Sequence, residues 1–172
     1  MKWFIKCFKQ YADFTGRARR KEYWWFTLIN AVISMVLITG WLVPIFKMAF
    51  NAASGETTPD EWEIARIILT NPFLYIYMVY YLAVLIPSLS VTVRRLHDIG
   101  KSGYWLFLQI GASLLISLAN LYTGNNAAVA MTLSFIALAI AILFLVWTFT
   151  DSQPGENKWG PNPKEPQTTE IQ

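Results

Sequence analysis

RRLHDIGKSGYW, residues Arg94 to Trp105, is densely charged and contains the only histidine of the chain. It stands between two apolar runs, Ile67 to Val93 and Gly103 to about Leu121, each long enough to cross a bilayer. Charge in that position marks the mouth of a membrane hairpin. The rest of the sequence can be read outward from it.

Composition agrees with that reading. Of 172 residues 55% are hydrophobic and 15% charged, with a mean hydropathy of +0.36, well away from a soluble domain. A net charge of +3 could signal nucleic acid, but the basic residues border apolar spans, where orientation and anionic lipid explain them, so no nucleic-acid partner is expected. One cysteine, Cys7, excludes an internal disulfide, and with one histidine it leaves too few soft ligands for zinc. No cofactor is expected.

Upstream, Trp3, Phe4, Cys7, Phe8, Tyr11 and Phe14 fall at helical spacing, with Lys2, Lys6, Lys9 and Asp13 opposite. This predicts a basic amphipathic helix over Met1 to Phe14 lying in the headgroup layer, although the same stripe suits packing on the protein. Thr15 and Gly16 break it, and Arg17, Arg19, Arg20, Lys21 and Glu22 lead into the first span. With no small-x-small pattern behind it, that span reads as uncleaved. Tyr23 to Phe46 is 24 uncharged residues, about 36 Å of helix.

Between Lys47 and Asn71 acids outnumber bases, and Thr58, Pro59, Asp60 and Glu61 predict the start of a short surface helix running to Thr70, with the Thr58 hydroxyl as cap. Spans are expected at 23–46, 72–93, 103–121 and 127–150, with a polar turn from Tyr122 to Asn126. Pro87 predicts a kink relieved by Ser88 or Ser90. Small residues at Ser113 and Ser117, and at Ala130, Ser134, Ala137 and Ala141, suit close helix packing in lipid. The predicted fold is an all-α, integral membrane four-helix bundle with an interfacial N-terminal helix, one domain over 1–163, then a disordered tail over 164–172.

Seven lysines and arginines precede the first span, three lie in the second-to-third loop and two in the tail, against two in the first-to-second loop. The positive-inside rule therefore places both termini and the central loop in the cytoplasm.

Three blocks, FTGRARRKEYWWF (Phe14 to Phe26), RRLHDIGKSGYW (Arg94 to Trp105) and PGENKWGPNP (Pro154 to Pro163), resemble in order the signature blocks of the DUF805 family of bacterial inner-membrane proteins. The resemblance covers nearly the whole chain from Phe14 to Pro163. It implies an integral protein of the bacterial inner membrane, with no established activity or catalytic residues. The loop from Lys47 to Asn71 is longer than the family's small members lead one to expect.

Cap chemistry explains much of the central block. Arg94, Arg95 and His97 suit the negative end of a helix, Gly100 suits a left-handed stop, and Ser102 and Gly103 suit entry to the next span. Gly100, Lys101 and Ser102 are not a phosphate loop, since Arg95 occupies the position where that motif needs glycine. His97 and Asp98, adjacent on a helix end, point apart, which argues against catalysis.

Two readings of the rim remain. Arg17, Arg20, Arg94, Arg95, His97 and Lys101 form a cytoplasm-facing site for an anionic lipid headgroup, a small anion or a partner protein, with Asn30, Gln109 and the Pro87 kink making a polar vestibule beneath. Alternatively Glu22, Asp98 and Asp151 neutralise these cations in a structural lattice, the preferred arrangement because desolvated arginine needs a partner. The expected function is non-enzymatic binding at this rim of a bilayer protein. A small transporter or channel component acting as a homo-oligomer is the alternative, against which stand the lack of ionisable groups within the spans and of an inverted repeat.

Overall fold

A computed structural model describes residues 2–56, 58–122 and 127–165, with side chains of 118–122 and 127 outside the description. Of the turn predicted over 122–126 and the disordered tail expected over 164–172, residues 123–126 and 166–172 lie outside the described residues. Among those described there are six helices and no strand: α1 (Lys2–Lys9), α2 (Arg20–Ala53), α3 (Glu61–Thr70), α4 (Pro72–Asp98), α5 (Trp105–Tyr122) and α6 (Ala127–Phe149). By length and composition Arg20–Ala53, Pro72–Asp98 and Ala128–Phe149 can each cross a membrane, while Trp105–Ser117 is a shorter apolar helix.

The helices begin and end where side chains satisfy free backbone groups, which moves several predicted boundaries. α1 stops at Lys9 rather than Phe14, because Asp13 folds the chain into a turn by accepting from both the backbone and the hydroxyl of Thr15. Those bonds hold the Asp13 carboxyl below its usual range. α3 starts two residues late: its cap is the Asp60 carboxylate, 2.7 Å from the Glu63 amide, in place of the expected Thr58 hydroxyl. α4 ends in a Schellman arrangement. Gly100 takes φ +78°, its amide reaches the His97 carbonyl and the Lys101 amide reaches Leu96. A Cβ at Gly103 would stand 2.7 Å from Val93, so glycine is what lets the chain turn so closely over α4.

Packing is concentrated at one end of the molecule. α1 lies on α2 through Phe4 and Phe8, whose ring centroids are 5.7 and 5.9 Å from that of Phe26, and Cys7, Ala18, Phe26 and Val91 form the buried cluster beneath. α2 and α4 are joined by a hydrogen bond from the Tyr80 hydroxyl to the Asn30 side chain, and by the Phe73 ring seated on Gly40. Asn30 is thus spent at this helix interface and lines none of the described hollows, whereas Gln109 lines two. α5 and α6 pair with each other, Trp105 edge-on to Trp147 at 5.3 Å.

Pro87 has no amide to offer the Ala83 carbonyl, and the side chain that compensates is neither Ser88 nor Ser90. Tyr11, just past α1, donates its hydroxyl to Ala83 at 2.9 Å. Ser88 bonds Val84, and Ser90 reaches across to the Gln10 and Asp13 carbonyls. The proline thus frees one of the groups on which the N-terminal segment docks, beside Ser90 and Arg94.

Candidate functional site

The charged residues gather where the chain between α1 and α2, the end of α4 and the segment after α6 meet. Arg94 and Arg95 are 1% exposed, Glu22 and Asp98 fully buried, and Arg17 is 7% exposed. Groups this polar persist in a protein interior only when paired.

Asp98 is one hub. Its Oδ1 accepts from Arg17 Nε at 3.1 Å, and its Oδ2 accepts from Arg95 Nη1 and from the Ser152 hydroxyl at 2.6 Å. Arg95 spends its remaining nitrogens on the carbonyls of Thr148 and Thr150 at the end of α6. Arg17 clamps the C-terminal segment by donating to the carbonyls of Gln153, Gly155 and Gly160 at 2.5, 2.8 and 3.3 Å. Adjacent His97 turns the other way. Its ring stacks on Trp159 with centroids 4.5 Å apart, and its Nδ1 lies 3.2 Å from the Gly16 carbonyl. A carbonyl only accepts, so that nitrogen carries the proton. Asn157 donates to the His97 carbonyl, which completes the seat of the C-terminal segment.

Glu22 is the second hub, taking Arg94 Nη1 at 2.9 Å and Lys6 Nζ at 2.6 Å. Arg94 Nη1 also donates to the Gln10 side chain at 2.6 Å. Its Nε and Nη2, which form the two-pronged edge of the guanidinium, are buried with no hydrogen-bond acceptor. The thiol of Cys7 does lie against this group, but sulfur is a weak acceptor. Burial and Glu22 push that thiol up to about 11, so it stays protonated.

The remaining predicted residues lie apart. Arg20 and Asp151 pair at 3.2 Å with side chains 43% and 58% exposed, a solvated pair of little energetic weight. Lys164 also reaches Asp151, holding that carboxyl below its usual range, and Glu165 accepts from the Asn162 side-chain amide. Lys101 sits over the Trp147 ring at 4.4 Å, away from the other cations.

Arg94 and Arg17 line a pocket of about 650 Å³ with Lys6, Arg19, Trp3 and Trp159. Gln10, Asp13, Asn162 and Glu165 also border it. The cations outnumber the acids, and Arg19 and Lys6 both lean over the Trp3 ring. Sequence reasoning did not assign Lys6, Gln10, Arg19 or Trp159 to this site. The traces they left were the charged face of α1 and the third block, but nothing in the spacing says that the two chain ends meet. Among the described residues no group of three or more His, Cys, Asp or Glu side chains gathers at metal-binding range.

Apolar helices of spanning length joined to a buried ionic hub make this a helical membrane protein. Residues 11–161 match the model of the family described as "Protein of unknown function (DUF805)", and the chain belongs to that family. It is 33% identical over 164 residues to Inner membrane protein YhaH of Escherichia coli (strain K12), covering 95% of this chain and 98% of the relative. It is 29% identical over the same length to Inner membrane protein YhaI of that strain, covering 95% and 97%. Uncharacterized protein YiiR of that strain is 31% identical over 156 residues, covering 86% of this chain and 84% of the relative. No solved structure matches.

Proposed function

We propose that this protein is a non-enzymatic, four-span protein of the bacterial inner membrane, one domain over 1–163, that binds a phosphate-type oxyanion in the pocket at Arg94. α5 serves as the third span and both termini face the cytoplasm, in keeping with the distribution of lysine and arginine. α1 lies in the headgroup layer. Ile5, Tyr11 and Phe14 are exposed, and Tyr11 reaches Ala83, eleven residues before Arg94, roughly 16 Å deeper along α4.

One observation carries the oxyanion reading. Three buried guanidinium groups, Arg17, Arg94 and Arg95, share two buried carboxylates, Glu22 and Asp98, and Arg94, whose Nη1 is held by Glu22, keeps a Nε/Nη2 edge with no oxygen acceptor at the pocket it lines. Such a Nε/Nη2 edge suits two parallel bonds to a phosphate or carboxylate, and buried N–H donors left without an acceptor are costly until one arrives. Lys6 and Arg19 supply the outer cations.

The phosphate can belong to a lipid headgroup or be free in the cytoplasm. The test compares phosphatidylglycerol retained from mixed phosphatidylcholine nanodiscs, read by native mass spectrometry, with inorganic phosphate titrated calorimetrically. Binding in either arm should weaken about ten- to a hundredfold in Arg94→Gln and in the milder Lys6→Gln/Arg19→Gln pair. Equal binding by the outer pair and the parent protein, or binding in neither arm, overturns the proposal.

A further inference from the structure

The α5–α6 hairpin does not close tightly on α2 and α4. Two hollows lie along it. The upper, about 500 Å³, is lined by Tyr23, Trp24, Thr27, Thr92, Gln109 and Thr148 together with apolar residues of α5 and α6. The lower, about 290 Å³, is lined by Gln109, Ala112, Ser113, Ala137, Leu138 and Ala141 among others. Gln109 and Ala141 border both, so the two are compartments of one cleft. From Thr148 to Leu138 it descends ten residues of α6, roughly 15 Å. Tyr23, Thr27, Thr92 and Thr148 bring hydroxyls to its upper part, and the lower part is lined by alanine, leucine and isoleucine together with Gln109 and Ser113.

No charged side chain lines either compartment. The cations above are already engaged: Arg95 by Asp98 and two carbonyls, Arg20 by Asp151 and the Phe149 carbonyl. A phosphate entering here would find no unspent positive group. The polar groups that do face the cleft are selective. Thr92 and Thr148 donate their hydroxyl protons to the Ser88 and Leu145 carbonyls, and because Thr92 is also engaged by the Tyr23 hydroxyl, it is Thr148 that offers lone pairs to the cleft. The Gln109 side-chain amide makes no hydrogen bond to a described residue, and it sits on an apolar helix where an unpaired amide is costly.

We propose that this cleft binds a neutral glycerolipid of the diacylglycerol type. The free hydroxyl of such a lipid donates to Thr148, an ester carbonyl accepts from the Gln109 amide, and an acyl chain descends past Ala141 to Leu138. The site is separate from the pocket at Arg94 and differs from it in charge.

Photolabelling tests this on the full chain in phosphatidylcholine nanodiscs, with a diacylglycerol carrying a diazirine on one acyl chain. Adducts should concentrate on 137–145 of α6 and 106–113 of α5, and unlabelled dioleoylglycerol should compete where dioleoylphosphatidic acid does not. Gln109→Leu, which removes one hydrogen-bonding group, should weaken capture about two- to tenfold. Ala141→Trp should block it by filling the cleft, and if that variant aggregates, Gln109→Leu alone decides. The Lys6→Gln/Arg19→Gln pair should label normally, which separates this site from the oxyanion pocket. Adducts spread evenly over lipid-facing residues such as Leu115 and Phe135, equal competition by phosphatidic acid, or unchanged labelling of Gln109→Leu overturns the inference.

Discussion

The ionic hub at the end of α4 and the α5–α6 hairpin are built on opposite rules. In the hub the best-buried side chains are charged: Arg94, Arg95, Glu22 and Asp98 are all at or below 1% exposure. On the hairpin large apolar residues stand open, Leu115 at 60% and Phe135 at 71%. A soluble protein shows the reverse. Lipid tails solvate leucine as well as a protein core does, so apolar residues of a span gain little by burial, whereas a charge near the bilayer must be enclosed and paired. Where hydrophobic burial does not organise the fold, satisfaction of polar groups does.

Substitutions can break that contrast, and the largest effect belongs to the hub. Asp98→Asn leaves Arg17 and Arg95 buried without their carboxylate and should cost about 3–5 kcal/mol, read as a lowered unfolding midpoint in detergent. A midpoint near that of the parent protein would mean that the hub is not the organising element. Cys7 sharpens the same point chemically. With its thiol at about 11 rather than the ordinary 9.0, its thiolate is about a hundredfold scarcer than that of an exposed cysteine at pH 8. Maleimide labelling should be slow by at least that factor and rise about tenfold per pH unit up to about pH 11; rapid labelling at pH 8 would show the cluster to be open.

Intermediate effects fall on the joints. Tyr11→Phe strands the Ala83 carbonyl left free by Pro87 and should cost about 1–3 kcal/mol in the same melt. A double-mutant cycle on Asn30→Leu and Tyr80→Phe, inside the α2–α4 contact, should give a coupling of about 0.6 kcal/mol. Leu115→Ala on α5 should change stability by less than about 0.5 kcal/mol. If it matched Tyr11→Phe instead, the hairpin would be packed against something other than lipid, a second copy being the first to look for by crosslinking.

Much of this was open to reading before any coordinates. The uncharged run from Tyr23 to Phe46 marks a helix because nothing in it satisfies water, and α2 extends beyond it at both ends because charged residues there can join the helix without entering hydrocarbon. Gly100 announced the end of α4 because few other residues take a positive φ. Glu22 and Asp98 stood out as carboxylates among arginines. Which arginine each would take did not, since an ion pair depends on distances set by loops rather than by spacing.

The sequence by itself determined that the chain is helical, that its apolar stretches are suited to a bilayer and that its charge is confined to their borders. Those properties follow from transfer energies and local backbone preferences, which act residue by residue. Tertiary structure alone decided that Tyr11 would complete the carbonyl freed by Pro87, that Arg17 would clamp Gln153 to Gly160, and that Arg94 would keep one edge unpartnered. Each joins residues about seventy or more positions apart, or depends on what those residues leave unfilled. Such contacts are fixed by the packing of α1 and the C-terminal segment on α4.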